Sequence, residues 1–171
     1  MEKRAEKKSQ FAKPDKGSRK ALWIVVAVAS VGAVIAVVLG LSPAAKESGR
    51  YVQASQGKVS LPVADVSDGK AHYYSFDVEG KPVSFFLLKS QDGVIRAALD
   101  ACDVCYKSLK GYRQEGDNMV CNNCNQKFSS DQINVVKGGC NPAPLTREVV
   151  NGQVVLLEHE LRAGIAYFPR A

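Results

Sequence analysis

The sequence predicts a mostly β domain of the small β-sandwich type, which carries a cysteine-rich loop insert and follows one transmembrane helix. Three observations support this fold class. Short runs of β-forming residues alternate with turn signals on both sides of the insert. All five cysteines fall within residues 100–145. A single uncharged apolar stretch, residues 21–41, precedes the domain.

The first 20 residues form a strongly basic tail. They contain eight Lys or Arg and three acidic residues, whereas residues 46–171 contain fifteen basic and fourteen acidic residues. The net charge of +6 and the pI of about 9.1 therefore come mostly from the tail and not from a basic face of the domain. We expect no nucleic-acid partner.

Residues 21–41 predict one helix that crosses the lipid bilayer, because at ~1.5 Å per residue it matches the ~30 Å hydrocarbon core. The basic tail (residues 1–20) places the N-terminus in the cytoplasm, and Trp23 suits the interface. A cleavable signal peptide is the alternative, but its apolar region would be shorter. We therefore expect a single-pass protein of the cell membrane, with a linker at residues 42–57 and an extracytoplasmic domain at residues 58–171.

Two groups of strands are predicted around the insert. Before it, β-rich runs separated by Gly- and Asp-containing turns predict a meander: Lys58–Val63, Ala71–Val78, Val83–Lys89 and Val94–Leu99. After it, Asn151-Gly152 predicts a type I′ hairpin between Thr146–Val150 and Gln153–Leu161. Between the two groups no stretch shows a convincing 3.6-residue apolar period, so residues 100–145 are predicted to be irregular.

The cysteines are arranged as two Cys-x-x-Cys pairs and a single residue. Cys102 and Cys105 form the first pair, Cys121 and Cys124 the second, and Cys140 follows. Two residues between paired cysteines let both sulfurs turn inward on a tight knuckle, and two knuckles supply four thiolates for one ion or cluster. The pattern predicts a metal centre on the four paired cysteines. Cys140 is a further candidate ligand, a residue capping the loop, or a buried thiol.

Three other uses of the cysteines stay open. Disulfides suit an extracytoplasmic domain, but vicinal pairs close only tiny loops and one cysteine is left over. A structural zinc knuckle has the same spacing. A redox-active dithiol needs its pair at the start of a helix after a strand, and the sequence around the pairs does not predict that arrangement.

Side chains near the pairs are candidates for the surroundings of the centre. An apolar shell and hydrogen-bond donors to sulfur are usual around thiolate sites. The apolar candidates are Tyr106, Gly111, Tyr112, Met119, Val120 and Phe128, and the amide candidates are Asn122, Asn123 and Asn125. Ordinary core or turn roles are the alternative for each.

Four segments around the cysteines resemble the FtrD-like membrane iron–sulfur family, which is associated with bacterial ferrous-iron transport systems. They are Leu99–Tyr106, Gly111–Arg113, Met119–Cys124 and Gly138–Leu145. The resemblance covers residues 58–160 and implies an iron–sulfur cluster with Cys102, Cys105, Cys121 and Cys124 as its ligands. Asn125 departs from the family pattern, since a Gly is expected after the second pair.

The layout is more distantly similar to the Rieske domain, a small β fold with two ligand pairs on loops and a Pro-rich loop, here Gly139–Leu145. A Rieske centre takes one His from each pair, whereas both positions are Cys here, and His72 and His159 lie outside the motif. If the centre is a [2Fe–2S] cluster, four thiolates imply a potential nearer the ~−400 mV of plant-type ferredoxins than the Rieske range. They also imply no pH dependence from a titrating His ligand.

These observations predict an electron relay rather than an enzyme, since the sequence suggests no nucleophile with its base. The membrane anchor would raise the effective concentration of a membrane partner. We expect an iron–sulfur cluster of unspecified type, a membrane-embedded transporter or redox partner and, by the resemblance, a place in an iron transport system. The alternative is a zinc-stabilised structural or docking module of a membrane transporter complex.

Overall fold

The structure, a computed structural model, describes residues 49–169. The predicted basic tail and transmembrane helix lie outside the described residues, as does the first part of the predicted linker. Within residues 49–169, no helix combines the length and the apolar character that a membrane crossing requires.

The described residues form three sheets, which confirms the mostly β prediction. Their strands are β1 (Arg50–Val52), β2 (Lys58–Pro62), β3 (His72–Val78), β4 (Lys81–Lys89), β5 (Ile95–Leu99), β6 (Tyr112–Glu115), β7 (Asn118–Cys121), β8 (Lys127–Ser129), β9 (Arg147–Val150) and β10 (Gln153–Leu157). The central sheet has the order β1-β3-β4-β5, the outer sheet β2-β10-β9 and the cysteine-side sheet β6-β7-β8. One short α-helix, α1 (Glu158–Ala163), follows β10, and the described residues also contain four 3-10 turns: Val63–Val66, Tyr106–Ser108, Ser130–Gln132 and Gly164–Tyr167.

Strand β4 lies inside the central sheet and is apolar on both faces. Phe85 and Leu87 share one hydrophobic core with buried residues of the outer sheet. Phe86 and Leu88 face the other way and share a second core with Met119 of the cysteine-side sheet. A strand covered on both faces reads as a continuous apolar run, as this segment does. The central sheet is therefore the middle layer of the domain.

Strand β2 leaves the predicted meander. It pairs antiparallel with β10 in the outer sheet, while β1, from the range predicted as linker, pairs parallel with β3 at one edge of the central sheet. Strand β2 pairs with β10 because both strands bury alternate residues on the same side. Val59 and Leu61 of β2 face the first core together with Val154 and Leu156 of β10. The meander is limited to β3, β4 and β5.

The terminal hairpin is present, but the strand predicted to run to Leu161 ends at Leu157. Asn151 and Gly152 have φ angles of 51° and 73°, as a type I′ turn needs. Glu158–Ala163 is helical instead, because it is made of good helix formers, buries Leu161 in the first core and pairs Glu158 with Arg162 at 2.7 Å.

Residues 100–145, predicted to be irregular, contain the cysteine-side sheet. Its strands are three or four residues long and largely polar on their outward face, so they carry little of the apolar alternation that marks a strand. Their pairing depends on contacts with the second core and not on local pattern.

The chain segment 133–145 covers the edge of the central sheet, and Asn134 holds it there. The Ala97 N–H of β5 donates to Asn134 Oδ1 at 2.8 Å, and Asn134 Nδ2 donates to the carbonyls of Ala97 at 2.6 Å and Leu145 at 3.1 Å. Leu145 N–H in turn donates to the Ala97 carbonyl at 3.0 Å. An edge strand whose polar groups are paired in this way is closed to further strands.

We expect Asn134→Ala to destabilise the domain by about 3–4 kcal/mol, from three hydrogen bonds at ~1 kcal/mol each and a left-handed conformation. Asn151→Ala is the matched control, because Asn151 is exposed and also has a positive φ, and it should cost only ~1 kcal/mol. Urea unfolding of the purified chain followed by circular dichroism measures both. Equal losses in the two variants would contradict the edge-closing role of Asn134.

Candidate metal centre

Three loops carry the five cysteines. The first loop (residues 100–111) joins β5 to β6 and carries Cys102 and Cys105. The second loop (residues 121–126) joins β7 to β8 and carries the second pair. The third loop (residues 133–146) leads to β9 and carries Cys140. The site is therefore built from segments that lie far apart in the sequence.

Each Cys-x-x-Cys pair forms a tight knuckle. In the first, the Cys105 N–H donates to Cys102 Sγ at 3.2 Å. In the second, the N–H groups of Asn123 and Cys124 donate to the sulfur of Cys121, and the Asn125 N–H donates to the Cys121 carbonyl at 2.8 Å. Backbone N–H groups that point at sulfur stabilise a thiolate. The two pairs thus share one backbone hydrogen bond, because the Tyr106 N–H likewise donates to the Cys102 carbonyl at 3.2 Å. They differ after the second cysteine, where Tyr106–Ser108 forms a 3-10 turn and Asn125 has a left-handed backbone.

The five sulfur atoms form two overlapping groups. The Sγ atoms of Cys102, Cys105 and Cys121 lie within 4.8 Å of one another, and so do those of Cys105, Cys124 and Cys140. Cys105 belongs to both groups, and its sulfur is 3.8 Å from that of Cys140. All five thiols are free. The structure thus brings the four paired cysteines together and adds Cys140 to them.

The first cysteine of each pair is buried and the second faces outward. Cys102 and Cys121, the inner thiols, are 1% and 2% exposed. Cys105 and Cys140 are half-buried and Cys124 is exposed; these three are the outer thiols. Cys121, the last residue of β7, and Cys102, three residues after the end of β5, lie in the second core, whereas the second cysteine of each knuckle is more exposed. The site therefore has a dry side and a solvent side.

The dry side is formed by the second core. Cys102 and Cys121 are clustered there with buried side chains of strands β4 to β7 and of the third loop: Phe86, Leu88, Ala98, Tyr112, Met119 and Ile133. Phe128 packs against this cluster, and Val120 is also buried. Tyr106, also predicted for the shell, packs against the first core instead and meets Tyr167 edge-on.

One of the three predicted amides reaches a sulfur. Asn123 Nδ2 donates to Cys105 Sγ at 3.4 Å. Asn122 and Asn125 brace the second loop instead, since the Arg113 guanidinium donates to Asn122 Oδ1 at 2.9 Å and to Asn125 Oδ1 at 3.4 Å. Asn125 has a φ of 59°, the left-handed conformation for which Gly is usual and which Asn tolerates. Asn125 thus adopts the backbone conformation that the expected Gly would have.

Asp100 connects the first loop to β6, and the sequence analysis missed it. This buried carboxylate accepts a hydrogen bond from the Tyr112 N–H at 2.6 Å. Gly111 lies against it with a φ of +62°, and a Cβ there would be 2.2 Å from Asp100 Oδ2. The Tyr112 hydroxyl donates to the Cys140 carbonyl of the third loop at 2.5 Å. Asp100, Gly111 and Tyr112 therefore join the loops. The signal in the sequence was an acidic residue two positions before Cys102.

The thiols differ in their tendency to ionise. Burial raises the pKa of Cys121 to about 11 and the pKa of Cys140 to about 12. The Gln126 N–H, which donates to the Cys124 sulfur, lowers the pKa of that thiol. Burial, with the neighbouring Cys102, raises the pKa of Tyr112, which stays a hydrogen-bond donor. A metal that binds to Cys121 must therefore displace the proton of that thiol.

The donor set fits an iron–sulfur centre. It consists of thiols alone, with N–H donors to sulfur and an apolar inner side, which are the features that hold such a cluster. Neither histidine takes part: His72 Nε2 is 2.7 Å from Asp68 Oδ1, and His159 is exposed on α1. The same donors also suit a zinc ion.

Comparison with protein families supports the iron–sulfur description. A model described as "Membrane iron-sulfur containing protein FtrD-like" matches residues 66–168. The chain belongs to this FtrD-like family. The resemblance predicted from the cysteine segments is confirmed, and the FtrD-like description assigns an iron–sulfur cofactor and a membrane association. Among curated proteins, none matches the chain.

Among solved structures, the FtrD-like chain is similar to the quaternary ammonium Rieske monooxygenase CntA. The complex with the inhibitor MMV12 has 16% identity and a TM-score of 0.40, over 58% of this chain and 30% of that chain. The complex with gamma-butyrobetaine has 16% identity and a TM-score of 0.39, over 57% and 30%. The chain spans less than a third of the length of these enzymes.

We expect Gly111→Ala to lower both the stability and the metal content of the protein, because the added methyl group displaces Asp100 from the Tyr112 N–H. Gly116→Ala is the matched control: its φ is +58° and a Cβ there meets nothing within 4 Å, so only backbone strain of ~1–2 kcal/mol is added. Thermal unfolding and metal analysis of both variants check this. Equal metal content in the two variants would contradict the role of Asp100.

In the metal-free protein, we expect alkylation of Cys124 to begin at lower pH than that of Cys121 and Cys140. Only the thiolate reacts, and the pKa of Cys124 lies below its ordinary value while the other two lie above theirs. Iodoacetamide labelling from roughly pH 6 to 10, quantified by mass spectrometry, measures the profiles. In urea all five profiles should coincide. Overlapping profiles for Cys124 and Cys140 in the folded chain would contradict the assigned environments.

Proposed function

We propose that this protein is a membrane-anchored extracytoplasmic electron relay in an iron transport system, with an iron–sulfur cluster on Cys102, Cys105, Cys121 and Cys124. The observation that carries the proposal is the convergence of these thiols from two Cys-x-x-Cys knuckles onto one site with a dry side and a solvent side. The membership in a family described as membrane iron–sulfur proteins supports the cofactor and the anchor.

An iron–sulfur cluster supplies one-electron transfer without making or breaking bonds to a substrate. In this role the inner thiols hold the centre in a core from which Tyr112 and Met119 exclude water. The outer thiols Cys105 and Cys124 place the other side of the centre at the protein surface. A partner can approach that side closely, as efficient electron transfer requires.

The surface beside the outer thiols has the character of a docking face. Eight large apolar side chains of the described residues are exposed, and four of them stand on the first and third loops: Val104, Leu109, Val135 and Val136. Exposed lysines accompany them in the same loops: Lys107, Lys110 and Lys137. Apolar side chains rimmed by charge favour contact with another protein. The proposed partner is a membrane-embedded transporter or redox protein.

The space around the inner thiols supports a relay rather than an enzyme. The cavity beside Cys102, Cys105 and Cys121 has a volume of about 10 Å³. A cavity of that size holds about one water molecule and no organic substrate. The buried carboxylate that lines it, Asp100, is engaged by the Tyr112 N–H.

The second candidate function is a zinc-stabilised structural or docking module of a membrane transporter complex. The all-thiol donor set favours it, because four thiolates also form a closed structural zinc site. In that case the metal would only join the three loops, and the exposed apolar side chains would still dock a partner. Redox activity separates the two candidates.

The test is a redox titration of the anaerobically purified full chain in detergent, followed by visible absorption and electron paramagnetic resonance. We expect reversible one-electron reduction with a midpoint nearer ~−400 mV than the Rieske range. The midpoint should not change between roughly pH 6 and 9, because no histidine lies at the site. His72→Ala and His159→Ala are the controls and should leave it unchanged. A colourless zinc protein without redox activity would contradict the relay.

A further inference from the structure

We propose that Cys140 is a reserve ligand, which takes the place of Cys124 on the solvent side of the centre. The inference rests on the proposed metal centre on the four paired cysteines and assigns a use to the fifth. Three requirements follow. Cys140 must be able to reach the position of Cys124, and it must not reach the positions of the inner thiols. Cys124 must also be the ligand that is lost most easily.

The sulfur geometry meets the first two requirements. Cys140 Sγ is 3.8 Å from Cys105 Sγ and belongs to the group that also contains Cys124. Cys102 and Cys121 form their group with Cys105 alone. Because Cys105 and Cys124 are the neighbours of Cys140, its thiolate can replace an outer ligand with a small movement. Replacing an inner one would take it into the packed second core.

The third loop presents Cys140 to the site without help from either knuckle. Gly138 and Gly139 have φ angles of 85° and 63°, and the Asn141 N–H donates back to the Gly138 carbonyl at 3.3 Å, so the loop turns tightly at Cys140. The Tyr112 hydroxyl fixes the Cys140 carbonyl. Loss of Cys124 from the metal therefore does not displace Cys140.

Cys124 is the ligand most open to loss. It is the exposed thiol of the five, whereas the others are buried or half-buried. Solvent-borne oxidants and competing ligands therefore reach it first. A reserve thiol beside this position keeps the centre loaded when Cys124 is displaced.

The replacement is a simple ligand exchange. The bond between the metal and the Cys124 sulfur breaks, and a bond between the metal and the Cys140 sulfur forms. Cys140 gives up its proton to solvent, and the released Cys124 thiolate takes one up. The number of thiolates on the metal and the charge of the site stay the same, so no oxidant or reductant is needed.

The test compares serine variants of the anaerobically purified full chain by bound iron, acid-labile sulfide and visible spectrum. We expect Cys124→Ser and Cys140→Ser each to keep iron and sulfide close to wild type. The double variant Cys124→Ser/Cys140→Ser should contain at least about tenfold less iron and sulfide than wild type. Cys121→Ser is the matched control, because Cys121 occupies the inner position of the same knuckle. This single variant should lose as much iron and sulfide as the double variant. Circular dichroism checks that each variant is folded.

A labelling measurement supports the comparison without relying on metal content. In the loaded wild type, Cys140 is the cysteine that the proposed centre does not bind, so iodoacetamide should modify it at roughly pH 10, slowly because burial raises its pKa. In loaded Cys124→Ser, Cys140 should be protected by at least about tenfold, because it is then bound. Unchanged labelling of Cys140 in that variant would overturn the proposal.

The outcomes separate this inference from the proposed function. If wild type is loaded but Cys124→Ser loses as much metal as Cys121→Ser, Cys140 is not a reserve ligand and the relay stands. If the double variant stays loaded, the inference also fails. If wild type contains zinc in place of iron and sulfide, the relay fails, and the same variants read by zinc content decide the role of Cys140. A wild-type protein without bound metal would overturn both the relay and the reserve-ligand role of Cys140.

Discussion

A buried hydrogen bond from the Tyr112 N–H to the Asp100 carboxylate is the link through which all three cysteine-bearing loops are connected. It joins the first loop to β6, and β6 pairs with β7, whose last residue is Cys121. The Tyr112 hydroxyl then holds the third loop at Cys140. A buried carboxylate that loses such a partner costs several kcal/mol. Two hydrogen bonds also join the first loop to the second directly: the Asn122 N–H donates to the Gly111 carbonyl and Asn122 Nδ2 donates to the Lys110 carbonyl, both at 2.9 Å. The Asp100 bond and these two contacts together fix the two knuckles relative to each other.

The layered fold positions the strands and loops that the bond between Asp100 and Tyr112 joins. The central sheet is apolar on both faces, so it can support the outer sheet on one side and the cysteine-side sheet on the other. Phe86 and Leu88 of β4 form the floor under the inner thiols. The outer thiols, on the loops above, face solvent. The two environments of one metal site thus follow from the position of each cysteine within its knuckle, first or second.

Local pattern predicted much of this. The Cys-x-x-Cys spacing predicted the knuckles, Asn151-Gly152 the terminal hairpin and the run around Phe85 a strand of the meander. Contacts between distant segments were not predictable in the same way. The pairing of β2 with β10, the edge closure by Asn134 and the clamp at Asp100 each depend on where a remote segment lies. Helix α1 was missed because six residues are too few to show a helical period.

Metal analysis of the anaerobically purified full chain shows whether Cys102, Cys105, Cys121 and Cys124 hold an iron–sulfur centre. Iron, zinc and acid-labile sulfide are measured per chain, with Cys102→Ser/Cys121→Ser as the blank. We expect iron with a matching amount of sulfide and broad visible absorption in the wild type. Iron, sulfide and visible absorption should all be lost in the blank. Stoichiometric zinc without sulfide in a colourless wild-type protein would contradict the iron–sulfur centre.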